Sequence, residues 1–524
     1  MGLEDSKLLQ KYINFGEKKA GSTWMGIFVG LFAAFGGILF GYDTGTIGGI
    51  MAMPYVTSHF PDNKKSFTSS ETSLIISILS VGTFFGALSA PLMSDRLGRR
   101  WTLIIATLGI FNLGVILQTA STSIPLLVAG RCIAGFGVGF ISAVIPLYQA
   151  ETTPKWIRGA VVSCYQFAIT IGLLVASCVN QGTHNRNDTG SYRIPIAVQF
   201  AWALILGGGM IILPETPRFW VSRNNETKAK ESLSRLRKLD INHPDLIDEY
   251  EEIQANHLYE LQFGKASWFE VFATKNKQLR RIIMGTSLQA LQQLTGVNFI
   301  FYFGPTFFKS SGIENEFLIS LATNIVNVGM TVPGIFLIEI IGRRKLLMSG
   351  SVVMAVSQLL VAIIGVSTDS LAANKCLIAF VCIFIAGFAA TWGPLCWAVV
   401  AESYPLKVRQ KSIALCTASN WLWNWAIAYA TPYMVDSGPG NADLKSKVFF
   451  IWGGCNVIGG IFVYFMVYET KGLTLEQVDE MYEEVDHAWK SPSFIPKDHV
   501  FRDHNVESIT SVGKAETAAY EESV

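Results

Sequence analysis

Residues 95–100 read Asp-Arg-Leu-Gly-Arg-Arg and residues 339–344 read Glu-Ile-Ile-Gly-Arg-Arg, the same acid-x-x-Gly-Arg-Arg pattern twice in one chain. Two further pairs keep the same order: Glu151-x-x-Pro154-x-x-x-Arg158 with Glu402-x-x-Pro405-x-x-x-Arg409, and Glu215-Thr216 with Glu469-Thr470. All three recur at a near-constant offset of about 250 residues, which reads as two copies of one unit. A parallel duplication of this size suits two bundles rocking about a site at a bilayer midplane.

The text between the landmarks says what each copy is made of. Of 524 residues, 50% are hydrophobic and only 15% charged, so the apolar surplus faces something other than water. It is gathered into stretches of about 20 residues, the length a helix needs to cross a ~30 Å hydrocarbon core. Twelve spans are predicted, starting near Trp24, Leu74, Trp101, Ile124, Gly159, Ile194, Ile282, Phe317, Leu346, Cys376, Ser412 and Phe449. The expected architecture is an all-α integral membrane protein. Residues 1–23 form an N-terminal tail, 24–217 a six-helix bundle, 218–281 a helical linker, 282–470 a second six-helix bundle and 471–524 a C-terminal tail.

Basic residues cluster in the loops after even-numbered spans, at Arg96, Arg99, Arg100, Lys155, Arg158, Arg343, Arg344, Lys345, Lys407, Arg409 and Lys411. The positive-inside rule then puts both termini, the linker and the tails in the cytosol. Acidic and basic landmark residues share this face: Asp95, Arg99, Arg100, Glu151, Arg158, Glu215 and Arg218 in the first copy, and Glu339, Arg343, Arg344, Glu402, Arg409 and Glu469 in the second. Pairs that form between helices when that side closes would make a breakable cytoplasmic gate; the plainer reading is insertion topology alone.

A net charge of +1 gives no reason to expect nucleic acid. The histidines lie in predicted loops or tails without metal-ligand spacing, so no metal or cofactor is expected and no enzyme site is found. The run Gly135 to Gly139 sits inside a span and reads as close helix packing, not a nucleotide loop. Asn187-Asp188-Thr189 falls in a predicted external loop and is a glycosylation candidate.

The span beginning near Ile282 carries Gln289, Gln292, Gln293 and Asn298, a density of amides rarely tolerated in hydrocarbon. Spacings of three and four set Gln289, Gln292, Gln293 and Gly296 along one side. Amides donate and accept, as hydroxyls do, so such a cluster suits a neutral polyol; the alternative is interhelical hydrogen bonding. Gln166, Asn327, Asn420 and Asn424 add amides from other spans, and Trp392, Trp397, Trp421 and Tyr302 are aromatics able to cover a ring or simply to pack. The second copy has no charged residue mid-span, which argues against ionic solutes. Asp43 and Arg131, by contrast, lie inside apolar spans of the first copy. Moving Arg131 relative to Asp43 could switch the acid between holding and releasing a proton; a permanent ion pair is the structural alternative.

Taken together, Gly41-Tyr42-Asp43-Thr44-Gly45, Asp95-Arg96-x-Gly98-Arg99-Arg100, Gly130-Arg131, Pro214-Glu215-Thr216-Pro217-Arg218, Gln292-Gln293-Leu294-Thr295-Gly296-Val297-Asn298, Trp392-Gly393-Pro394 and Glu469-Thr470-Lys471-Gly472 resemble the sugar porter family of the major facilitator superfamily. The flanking text is similar to the yeast high-affinity glucose/xylose proton symporters. The resemblance implies the major facilitator fold and no cofactor. It also implies sugar contacts from Gln166, Gln292, Gln293, Asn298, Asn327, Trp397 and Asn424, with Gln289, Trp392, Asn420 and Trp421 close by. Asp43 stands where the resemblance places the aspartate of proton symporters.

The expectation is therefore a plasma-membrane transporter that takes up glucose and xylose with a proton by alternating access, acting as a monomer. The rivals are a facilitative hexose uniporter and a non-transporting glucose sensor. The short stretch after Glu469 argues against the sensor.

Overall fold

The computed structural model describes residues 23–61, 66–153, 158–262, 268–274, 277–310, 316–367, 371–438, 440–473 and 475–495. All regular structure among them is helical. The first six spans are Trp24–Ala52, Ser69–Leu97, Arg99–Ala120, Ile124–Thr152, Arg158–Thr183 and Gly190–Ile212. The seventh comes in two pieces, Gln278–Leu294 and Val297–Ser310. Then follow Glu316–Ile341, Arg343–Ser367, the tenth span as Leu371–Ala390 plus Trp392–Glu402, Leu406–Val435 and Val448–Met466.

Ten of these twelve are long and apolar enough to cross a membrane on length and composition alone. The two that are not are the seventh and eleventh, and both carry the amides singled out above. Polarity was spent where the two bundles face each other.

Three helices begin five or more residues earlier than hydropathy placed them: the second at Ser69, the tenth at Leu371 and the eleventh at Leu406. The first turn of the second is polar throughout, and Lys375 in the tenth and Lys407, Arg409 and Lys411 in the eleventh interrupt the apolar run near the helix start. At the second, Thr68 and Glu71 form a reciprocal capping box that starts the helix five residues before Leu74.

Gly135 and Gly139 lie against the second span so closely that a Cβ would stand 2.2 Å from the carbonyl of Leu79 and 2.4 Å from that of Thr83. Removing side chains there lets two backbones approach, the usual route to tight packing in a membrane. The linker forms the helices Pro217–Ser222, Glu226–Arg237 and Pro244–Gln262. Beyond the twelfth span, Leu475–Glu484 docks on the first residues of the seventh: Asp479 pairs with the fully buried Arg281, whose guanidinium lies 4.2 Å from the centre of the Tyr482 ring.

Candidate functional site

The seventh span breaks at Gly296, whose φ of +81° no helix can continue through. The break sets Gln289, Gln292 and Gln293 on one piece against Asn298 and Tyr302 on the other, and the eleventh span lies alongside. Asn420 donates to Gln289 Oε1 and Gln292 Oε1, both at 2.7 Å, and accepts from Gln293 Nε2 at 3.0 Å. Gln293 Oε1 accepts from Asn424 at 3.1 Å and from Asn298. Gln292 Nε2 donates to the carbonyls of Trp392 and Gly393, tying in the tenth span. Six predicted amides thus form one connected network, five of them buried and Asn298 half-buried.

From the eleventh span, Asn424 of the network and its neighbour Trp421 reach across to the first bundle. Ser80 of the second span donates to Asn424 Oδ1 at 2.6 Å, and Trp421 Nε1 donates to Ser142 of the fourth at 3.3 Å. Phe40 of the first span meets Trp421 edge to face at 4.9 Å. Ser80, Ser142 and Phe40 carry no signal in the sequence beyond being small or apolar in a span.

Other predicted residues sit beside the network rather than in it. Gln166 and Trp397 line a small cleft with Tyr165 and Pro394, between the two bundles and toward the basic loops. Trp392 is buried and hydrogen-bonds Leu347 O and Ser351, so it packs the second bundle. Asn327 is buried with its Oδ1 without a partner among the described residues, as is Gln289 Nε2. A second small cleft opens toward the opposite face between the first, fifth, seventh and eighth spans. The amides therefore lie between a cleft on either side.

Asp43 and Arg131 do meet. Asp43 Oδ1 lies 3.7 Å from Arg131 Nη1 with both side chains fully buried. Gln199 of the sixth span donates to the same Oδ1 at 3.2 Å, and Arg131 Nε is held by Ile75 O at 2.8 Å. Gln199 was missed, although a lone glutamine in an apolar span was a visible signal.

At the basic face the duplication is repeated in detail. Glu215 accepts from the backbone N–H of Arg99 and Arg100, at 3.1 and 2.9 Å; Glu469 accepts from Arg343 and Arg344, at 2.8 and 3.1 Å. Each carboxylate thus caps the start of a span where free N–H groups favour negative charge. Gly98 and Gly342 make room: with φ of +92° and +98°, a Cβ on either would strike the capping carboxylate. Arg99 pairs with Glu151 at 3.1 Å and Arg343 with Glu402 at 3.0 Å and Glu339 at 2.9 Å. Burial pushes the Glu215 carboxyl up to about 7, against the pull of the Thr216 and Arg100 N–H groups.

These pairs form within one half each. Across the halves on this face, Gln410 Nε2 donates to Asp95 Oδ1 at 3.2 Å. Arg409 donates to Tyr404 O, and Arg218 joins none of these pairs among the described residues. The side chain of Arg158 lies outside the described residues.

An interrupted helix presenting uncharged amides between two bundles, with a cleft on either side, defines a membrane carrier for a neutral hydroxylated solute. The sugar (and other) transporter family profile matches residues 29–482, and the chain belongs to that family. It is 56% identical over 498 residues to the major facilitator-type transporter ecdD of Aspergillus rugulosus, covering 92% of each chain. To the high glucose sensor RGT2 of Saccharomyces cerevisiae it is 50% identical over 471 residues, 89% of this chain and 62% of the sensor. The probable glucose transporter rco-3 of Neurospora crassa is 49% identical over 490 residues, 91% of this chain and 82% of that one. Among solved structures, the proton:xylose symporter XylE bound to 6-bromo-6-deoxy-D-glucose overlays with a TM-score of 0.74 at 26% identity, over 88% of this chain and all of that one. The fold is that of the major facilitator superfamily, with twelve membrane helices, and the protein is a sugar transporter and not an enzyme.

Proposed function

We propose that this transporter takes up glucose, and also xylose, across the plasma membrane together with a proton, by alternating access, with both termini and the basic face in the cytosol and each chain a complete unit. The amide network holds the sugar: its members exchange bonds with one another for bonds with hydroxyls, which donate and accept in the same way.

The observation that supports proton coupling is the Asp43–Arg131 pair, buried in the bundle that does not carry the amide network. One Asp43 oxygen and one Arg131 nitrogen are buried without a partner among the described residues. An imperfectly satisfied pair is easier to part than a bidentate one, and parting it changes how tightly Asp43 holds a proton. Proton flow through 100 mV and one pH unit releases about 2.3 plus 1.4 kcal/mol, enough for a sugar gradient of several hundredfold. The structurally similar XylE carries the name of a proton:xylose symporter.

Adding glucose or xylose to de-energised, unbuffered cells expressing the protein should make the medium more alkaline. Uptake with no pH change would leave a facilitative uniporter. A second reading, a glucose receptor that signals without transport, rests on the likeness to RGT2. Expression in a transport-deficient cell separates it, because a receptor restores signalling but not growth on sugar.

A further inference from the structure

The break in the seventh span creates a problem that two residues outside the amide network solve. In an unbroken helix the N–H of Phe299 would donate to the carbonyl of Thr295; here it donates to Gly296 instead, at 3.1 Å. The N–H of Gly296 likewise turns to Gln293 O, one residue short of its helical partner Gln292. Two carbonyls are thereby released in the protein interior, where an unpaired polar group is costly. The carbonyl of Gln292 is taken by the hydroxyl of its neighbour Thr295 at 2.7 Å.

The carbonyl of Thr295 is taken from behind. Gln358 of the ninth span donates its Nε2 to it at 2.8 Å. Asn456 of the twelfth span donates to Gln358 Oε1 at 2.7 Å, which turns the Gln358 amide so that its NH2 faces the break. Trp452, one turn before Asn456, fills the notch left by Gly296, where a Cβ would stand 2.5 Å from the indole. Gln358 and Asn456 are fully buried and belong to neither the amide network nor the charged clusters.

We propose that Gln358 and Asn456 are positioning residues: they hold the two pieces of the interrupted span at a fixed angle, so that Gln293 before the break and Asn298 after it meet one sugar molecule together. The proposal rests on the reading of that network as the sugar site. It assigns to the ninth and twelfth spans, which supply none of the proposed sugar contacts, a direct part in affinity.

The test is a double-mutant cycle on purified protein in proteoliposomes, with glucose KM and maximal rate as readouts and detergent melting temperature as a control for folding. Gln358→Leu and, separately, Asn456→Ala should each raise KM about tenfold with the rate kept within about twofold. Asn298→Ala alone tests the sugar site: a KM unchanged there sinks that reading, whatever Gln358 does. If Gln358 acts by placing Asn298, adding Gln358→Leu to Asn298→Ala should raise KM less than twofold further. Multiplying effects, an unchanged KM in folded Gln358→Leu, or loss of folded protein in both Gln358→Leu and Asn456→Ala would overturn the positioning role. Should only one of the two fail to fold, the other decides.

Discussion

Asp43 Oδ1 and Arg131 Nη1 stand 3.7 Å apart inside the first bundle, with Gln199 as a third member on the same carboxylate oxygen. Removing one charge leaves the other buried, and the expected cost is about 3 kcal/mol. Asp43→Asn should therefore lower the melting temperature, while Asp43→Asn combined with Arg131→Gln should recover part of the loss. Both variants should still exchange labelled glucose downhill within about tenfold of the parent rate, and neither should accumulate it. Accumulation by Asp43→Asn, measured with a nonmetabolised sugar in energised cells, would remove Asp43 from coupling.

Asn420 binds three glutamines at once. Asn420→Leu leaves Gln289 Oε1, Gln292 Oε1 and Gln293 Nε2 without that partner, each worth roughly 1–3 kcal/mol in a buried site. Glucose KM in proteoliposomes should rise more than about tenfold, and glucose should no longer protect the protein against thermal unfolding. Trp392→Phe, which removes the hydrogen bonds to Leu347 O and Ser351 and leaves part of the indole's space empty, should affect stability more than KM.

Twelve spans in two copies were legible because apolar length and repeated landmarks are local properties of the text. The amides were legible for the same reason, since Gln289, Gln292 and Gln293 stand out against hydrocarbon wherever they point. What stayed hidden was partnership. Nothing in the run around Arg343 says whether it reaches Glu402 of its own half or a residue across the bundles, and Gln199 joins Asp43 only through the packing of the sixth span on the first. The roles of Gln358 and Asn456 depend on a carbonyl freed by a break in another helix, a vacancy that no residue type advertises.

Glu402 accepts from Arg343 through both oxygens, at 3.0 and 3.2 Å, and from Thr470 at 2.6 Å, which joins the ninth and tenth spans to the segment after the twelfth at the basic face. We expect Glu402→Gln to slow turnover about tenfold while leaving the amount of inserted protein and glucose KM within about twofold. Charge reversal of both partners, Arg343→Glu with Glu402→Arg, should regain part of the rate. Stopped-flow exchange and surface labelling separate the two effects; a parallel loss of rate and insertion would reduce the cluster to a topological signal.

Glu215 gives stability a pH dependence of predictable sign. Its carboxyl is raised from 4.5 to about 7, chiefly by burial, so between these values the folded protein binds a proton that the unfolded chain does not. Stability then falls as pH rises. The contribution is fully present below about 4.5 and is lost as pH passes through about 7, with a size of about 3 kcal/mol. The melting temperature of the parent protein in detergent, measured from pH 4.5 to 8, should drop across this window relative to Glu215→Gln, which cannot titrate. Above pH 7 the glutamine variant regains the burial cost but loses one acceptor for the Arg99 and Arg100 amides, so the two profiles should approach or cross there. Parallel profiles over the whole range would mean that the two backbone N–H groups outweigh burial and keep Glu215 ionised.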